Sequence, residues 1–162
     1  FDGFSLNEYF RAKKVVPRST STAPGAYLFE DPNRVFEFLE MLDGEGKFNT
    51  KLAAVNERFI YHVPCHLKAA GIGTPVVSIF RHLPGAKVEL ADAGCCGMSG
   101  NYGFKKDKYE ISMKIGEKLF SRIKAAKADD VICDCPTCRM QIKHGTQTEP
   151  CHPIEILAKA YQ

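Results

Sequence analysis

No apolar stretch of the chain approaches the roughly 18–20 residues a membrane-crossing helix needs, and no signal peptide is visible. Any membrane association is therefore expected to come through a partner. Charge of one sign is also scarce: 22 Lys and Arg stand against 19 Asp and Glu, a net +3. With no long basic run and no base-stacking signature, nucleic acid is excluded as the expected partner. Gly97, Gly100 and Gly103 form Gly-x-x-Gly-x-x-Gly, which is not the spacing of a dinucleotide fingerprint. What remains is an ordinary globular composition, 44% apolar and 25% charged over 162 residues, enough for one domain with a real core. The chain starts at Phe1 without methionine and reads as a piece of a longer protein.

Cysteine is what the chain has in an organised form. There are seven, an odd number in a chain too long to need disulfide staples, so reduced thiols are expected. Cys133 and Cys151 read as buried small hydrophobes. The other five follow the pattern Cys65-x29-Cys95-Cys96-Gly97-x37-Cys135-x2-Cys138. Thiolate is a soft ligand and a redox nucleophile, which selects zinc, copper(I) or iron–sulfur chemistry over magnesium or calcium.

Residues 1–57 carry no visible chemistry. A short amphipathic helix is expected at 4–14, a Ser/Thr/Pro-rich connector at 17–25, and a helix beginning at Asp31-Pro32 and closing at Gly44-Glu45-Gly46. Residues 58–162 alternate regularly. Strands are expected at 59–63, 87–91 and 130–134, and helices from Pro75 to Leu83, from Asp107 to Ala128, from Pro136 to His144 and from Ile154 to Tyr161. The long helix has an apolar stripe, Ile111, Ile115, Leu119 and Ile123, that predicts a face packed on the sheet. Such alternation implies an α/β fold, a small parallel sheet of at least three strands with flanking helices. Ligands of these sheets bind beyond the carboxyl ends of the strands, and all five patterned cysteines fall there.

Each part of the pattern has a chemical reason. Cys135-x-x-Cys138 sets two sulfurs across a helix start, where free N–H groups and the dipole favour thiolate. Neighbours such as Cys95 and Cys96 point apart in extended chain, so the loop must kink, and Gly94 and Gly97 permit it. Five thiolates exceed the four of a tetrahedral zinc site, which leans toward a multi-iron cluster; a cubane itself needs only four. His66 follows Cys65 and is a candidate substitute ligand, although a solvated or capping role is the simpler account. His62 reads as a core or hydrogen-bonded histidine, and His152 before Pro153 as a cap. Lys68, Lys105, Lys106 and Arg139 would offset an anionic cluster.

At Tyr61-His-Val-Pro-Cys65-His-Leu-Lys68, the loop Gly94-Cys-Cys-Gly-Met-Ser-Gly-Asn-Tyr-Gly-Phe-Lys-Lys106, Asp134-Cys-Pro-Thr-Cys138 and His152-Pro-Ile-Glu-Ile-Leu157, the chain resembles the cysteine-rich CCG domain family. That family includes the CCG-bearing subunit of heterodisulfide reductase and the iron–sulfur subunits of glycolate and lactate oxidation. The resemblance covers residues 58–162. The Tyr-Gly-Phe-Lys stretch favours the branch found in anaerobic glycerol-3-phosphate dehydrogenase, in the C-terminal CCG domain of its iron–sulfur subunit. It implies an electron-transfer domain in which Cys65, Cys95, Cys96, Cys135 and Cys138 hold a four-iron (4Fe–4S) cluster, of non-cubane type in the heterodisulfide reductase relatives. The implied partners are a flavin (FAD) subunit that oxidises glycerol 3-phosphate, and membrane quinone or an anchor subunit. The implied location is the cytoplasmic face of the cell membrane, held peripherally through the complex. A glycolate- or lactate-type oxidase is the alternative parent within the family. The chain lacks the Cys-x2-Cys-x2-Cys-x3-Cys-Pro ferredoxin runs of a whole subunit and has one CCG motif rather than two, so it is not expected to be an enzyme alone.

Two readings outside the redox relay stay open. One is a zinc module that needs four cysteines and leaves one unused. The other is a metal-free thiol–disulfide enzyme working through Cys95-Cys96 or Cys135 and Cys138. For any of them, the basic Gly100–Lys106 loop beside the thiols is the expected docking edge.

Overall fold

The computed structural model describes residues 35–162. The expected helix at 4–14, the connector at 17–25 and the start at Asp31-Pro32 lie outside the described residues. The first described element is helix α1 (Val35–Gly44), followed by strand β1 (Arg58–Tyr61), a short helix α2 (Cys65–Ala69), α3 (Pro75–Phe80) and β2 (Lys87–Leu90). After the glycine-rich loop come a single 3-10 turn at Tyr102–Phe104, the long helix α4 (Tyr109–Ala125), β3 (Asp130–Ile132), α5 (Pro136–Thr146) and α6 (Pro153–Ala160).

The strands form one parallel sheet in the order β2-β1-β3. In register, Phe59 sits opposite Val88 and Asp130, and Tyr61 opposite Leu90 and Ile132. The α/β architecture expected from the alternation is therefore present. Pleating sends successive side chains of β1 to opposite faces, and two cores result. Phe59 and Tyr61 join Phe36 and Leu39 of α1, Val76 and Phe80 of α3, and Ile156 and Leu157 of α6. Ile60 joins Leu119 and Ile123 of α4, Ile142 of α5, and Cys96, Cys133 and Cys138. Helices thus cover both faces of the sheet, as a parallel sheet requires. Phe36 is fully buried and its ring meets that of Phe80 at a tilt, centroids 6.2 Å apart, so α1 shares the core of the sheet although it precedes residue 58. Burying a side chain of this size is worth about 1.5–3 kcal/mol.

Helix α4 departs from its expected packing. Leu119, Phe120 and Ile123 are buried, but Ile111 and Ile115 are 47% and 51% exposed. The inward positions of its first half are instead Ser112 and Gly116. A Cβ on Gly116 would press against the carbonyl oxygen of Cys96, and one on Gly97 would run into the carbonyl of Ser112. The cysteine loop lies directly on the backbone of α4, and only small side chains fit between them. That requirement turns the isoleucine stripe of the first half toward solvent.

Helix α2 has no counterpart in the sequence pattern. Its five residues are too few to show a helical period, and Pro64 caps it in extended geometry. Helix α5 continues past the expected stop at His144, through Gly145, to a left-handed cap at Gln147. His152 caps α6 as expected: its Nδ1 accepts from the N–H of Ile154 at 3.1 Å, and Glu155 accepts from the N–H of His152 at 2.9 Å, a reciprocal capping box. Among the described residues no helix is long and apolar enough to cross a membrane.

Candidate metal centre

The chain leaves β1 toward β2 on one side, then crosses back over β1 to reach β3 on the other. The crevice beyond the carboxyl ends of β1 and β3 is the point of reversal, where sheets of this kind place their ligands. The floor of the crevice is closed by a hydrogen bond between the two strand ends, in which the Tyr61 hydroxyl donates to Asp134 Oδ2 at 2.6 Å. Burial pushes both groups above their ordinary ranges, and the Tyr61 hydroxyl partly offsets this at Asp134. Asp134 Oδ1 has no hydrogen-bond partner among the described residues.

The patterned cysteines enter from three directions. Cys135 is the N-cap of α5, and Cys138 lies in its first turn, 4% exposed. In the loop after β2, Gly94 and Gly97 take φ of 89° and 92°, a kink of the kind expected to aim both paired cysteines at one site. It sends Cys96 into the core at 2% exposure and leaves Cys95 half-buried. Cys65, at the start of α2, is exposed. Gly97 is held in place from below, since its carbonyl accepts from Ser112 Oγ at 2.9 Å and Gln141 Nε2 donates to the same Oγ at 2.7 Å. Ser112 and Gln141 are both fully buried.

All seven cysteines are free thiols. Cys96 Sγ and Cys138 Sγ lie 3.1 Å apart. The pair shares one hydrogen bond, and the thiolate is favoured on Cys96 over Cys138. The Cys96 thiol is pulled down to about 4, first by the Cys138 hydrogen bond and then by His62 and the N–H of Met98, against the cost of burial. Cys138 is pushed far up, because the neighbouring Cys133, Cys135 and Cys96 side chains and burial all disfavour its thiolate. The Cys135 thiol is lowered to about 5, first by Cys138, then by the Thr137 hydroxyl at 3.1 Å and the free N–H groups at the start of α5. Burial raises Cys95, and the neighbouring Cys96 and Cys65 add to this; the N–H of Gly97, donating to its sulfur at 3.3 Å, opposes.

Three of the five expected residues, Cys96, Cys135 and Cys138, thus meet in the crevice, while Cys95 and Cys65 stand at its outer edge. Two other residues belong to the same corner. Cys133 is fully buried, as expected of a small hydrophobe, but its thiol adjoins Cys138. His62 is 3% exposed, and one of its ring nitrogens lies with Cys96 Sγ and Cys138 Sγ in a group whose members are all within 4.8 Å of one another. Strand alternation carries the signal for it: His62 follows Ile60 at a spacing of two, on the face that Cys96 and Cys138 share. His66 is exposed, and so are Lys68, Lys105 and Lys106. Arg139 is half-buried and pairs with Glu155. Cys151 is half-buried rather than buried; its thiol donates to Asp130 Oδ2 at 3.4 Å, away from the other sulfurs.

The donor set is soft and buried, and two of its thiols are lowered by hydrogen bonds. Tetrahedral metal–sulfur bonds of about 2.3 Å place their ligands roughly 3.7 Å from each other, so a group spanning 4.8 Å suits the coordination sphere of one metal atom. The residues present therefore fit zinc or iron.

The family model for the cysteine-rich CCG domain matches residues 59–143, from β1 into α5, just over half of the chain. The chain belongs to the cysteine-rich CCG domain family. Among curated CCG relatives, a subunit of the anaerobic glycerol-3-phosphate dehydrogenase of Escherichia coli (strain K12) is 41% identical over 103 residues, 64% of this chain and 26% of the relative. A subunit of the fumarate reductase (CoM/CoB) of Methanothermobacter marburgensis is 34% identical over 110 residues, 66% of this chain and 22% of the relative. An uncharacterized iron–sulfur protein of Methanococcus maripaludis is 33% identical over 87 residues, 51% of this chain and 17% of the relative. The chain spans about a quarter or less of the length of these relatives. No solved structure matches the chain significantly.

Proposed function

We propose that this CCG domain holds an iron–sulfur cluster and relays electrons within an oxidoreductase complex. The observation that carries the reading is the meeting of Cys96, Cys135 and Cys138 in one crevice, with Cys95 and Cys65 at its mouth, in a chain similar to dehydrogenase and reductase subunits. A cluster bound by these thiolates would supply a centre able to take up and release single electrons. The protein supplies the rest. The hydrogen bonds around Cys96 and Cys135 lower both thiols, which favours the thiolates that a bound metal would need. The close seat of Gly97 on α4 and the Tyr61–Asp134 bond fix the geometry of the donors. Exposed Lys68, Lys105 and Lys106 would offset the charge of an anionic cluster.

Residues 58–162 are taken as the CCG unit and 1–57 as the segment leading into it. The named activity of the Escherichia coli relative supports a glycerol-3-phosphate dehydrogenase as the parent complex; with it, a flavin subunit oxidising glycerol 3-phosphate is the proposed electron donor and membrane quinone the proposed destination. The Gly100–Lys106 loop is the proposed docking edge, and the complex would lie at the inner face of the membrane. A glycolate- or lactate-type oxidase is the alternative parent. One observation favours a second reading, zinc: the tight corner of one histidine and two cysteines suits a single ion, and Cys135 would complete a Cys3His set.

Redox titration of anaerobically loaded protein separates the two. The relay reading expects a reversible one-electron signal by electron paramagnetic resonance. A loaded protein that stays silent across the whole potential range of iron–sulfur centres is a zinc module.

A further inference from the structure

His62 is buried beside the paired sulfurs of Cys96 and Cys138. It lies one residue beyond β1, and its backbone N–H still donates to the carbonyl of Ile132 at 3.1 Å, so the main chain cannot swing away. Its ring is 3% exposed, and Nε2 is buried without a hydrogen-bond partner among the described residues. Leaving such a group unpaired is costly. What His62 faces instead is two sulfurs, with all three donor atoms within 4.8 Å of one another. An imidazole nitrogen beside two cysteine sulfurs is a metal-ligand arrangement.

We propose that His62 is a nitrogen ligand of the metal centre, bound to the same metal atom as Cys96 and Cys138. The inference deepens the cluster reading and rests on it for the identity of the metal. The five-cysteine pattern then supplies the sulfur donors, while the histidine supplies the donor that the pattern omits. A nitrogen donor in place of thiolate removes negative charge from the centre. Among iron–sulfur sites, histidine ligation raises the reduction potential, so His62 would set this centre above an all-thiolate one.

The probe is Co2+ added to the reduced, metal-free chain, because its visible bands report the donor set without requiring a cluster. Wild-type protein is expected to bind Co2+ with the intense bands of a tetrahedral site. His62→Leu is expected to shift those bands and weaken binding by at least about 10–100-fold, and His62→Cys to restore tight binding with stronger sulfur-to-metal absorption. Circular dichroism of both variants checks that they fold. Absence of Co2+ binding by the wild type, or bands and affinity unchanged in His62→Leu, overturns the inference. Should His62→Leu fail to fold, His62→Cys decides alone: bands without added sulfur character overturn the proposal. Iron and acid-labile sulfide are counted separately on the same preparations. A chain that binds Co2+ through His62 but takes up no sulfide keeps this inference and loses the cluster reading; full iron and sulfide with a Co2+ site indifferent to His62 does the reverse.

Discussion

Cys138→Ser protein, loaded without oxygen, is expected to lose essentially all stable metal. Cys138 contacts more of the sulfur network than any other thiol in the crevice, since Cys96, Cys133 and Cys135 all act on it. It is also buried, at 4% exposure. Disturbing a residue that only orients a ligand already costs roughly 10–100-fold in metal affinity, and removing the sulfur itself should cost more. Cys96→Ser should behave alike, because it removes the lowered thiol of the pair. Cys151→Ser is the internal control. Its thiol bonds Asp130 and none of the other sulfurs, so metal content should be unchanged. Metal per chain, measured on the three variants with circular dichroism as a check of folding, tests the ranking. Equal retention in Cys138→Ser and Cys151→Ser would remove Cys138 from the centre.

The second large effect is expected at Gly97. Its φ of 92° lies where residues with a side chain are strained, and an added Cβ would collide with the carbonyl oxygen of Ser112 in α4. Strain of this kind costs about 1–3 kcal/mol, and overpacking adds about 1–3 kcal/mol, so Gly97→Ala should lose on the order of 3 kcal/mol or more. Gly94 separates the two causes. It has φ of 89° but no atom within 4 Å of an added Cβ, so Gly94→Ala should show the strain alone. Urea unfolding of both variants gives the comparison. Gly97→Ala should also lose metal, because the loop that carries Cys96 can no longer sit on α4. Similar unfolding midpoints for the two variants would mean that the contact between loop and helix contributes little.

These two expectations rest on different kinds of legibility. The cysteines announce themselves in the sequence because thiols at strand ends have few other uses, and the alternation of strands and helices gives the parallel sheet directly. Side-chain pattern does not reveal how closely two backbones approach. The stripe Ile111, Ile115, Leu119, Ile123 has the right period for α4 and points its second half into the core. Its first half faces solvent because Ser112 and Gly116 are the residues that admit the loop. Small residues carry no hydrophobic signal, and a face built from them is invisible to periodicity. His62 is a different case. Nothing in its local sequence distinguishes a buried histidine that packs from one that ligates. Its position relative to Ile60 gives its face of the sheet, but the proximity of Cys138, seventy-six positions onward in the chain, exists only after the sheet has formed. Helix α2 is hidden for a simpler reason, since five residues cannot display a period.

Whether the crevice between β1 and β3 holds an iron–sulfur cluster is tested most directly by the content of iron, zinc and acid-labile sulfide per chain. The protein must be prepared without oxygen. About four irons with matching sulfide and little zinc are expected, as a four-iron cluster requires. One zinc per chain with no sulfide would contradict the cluster and make this domain a structural module.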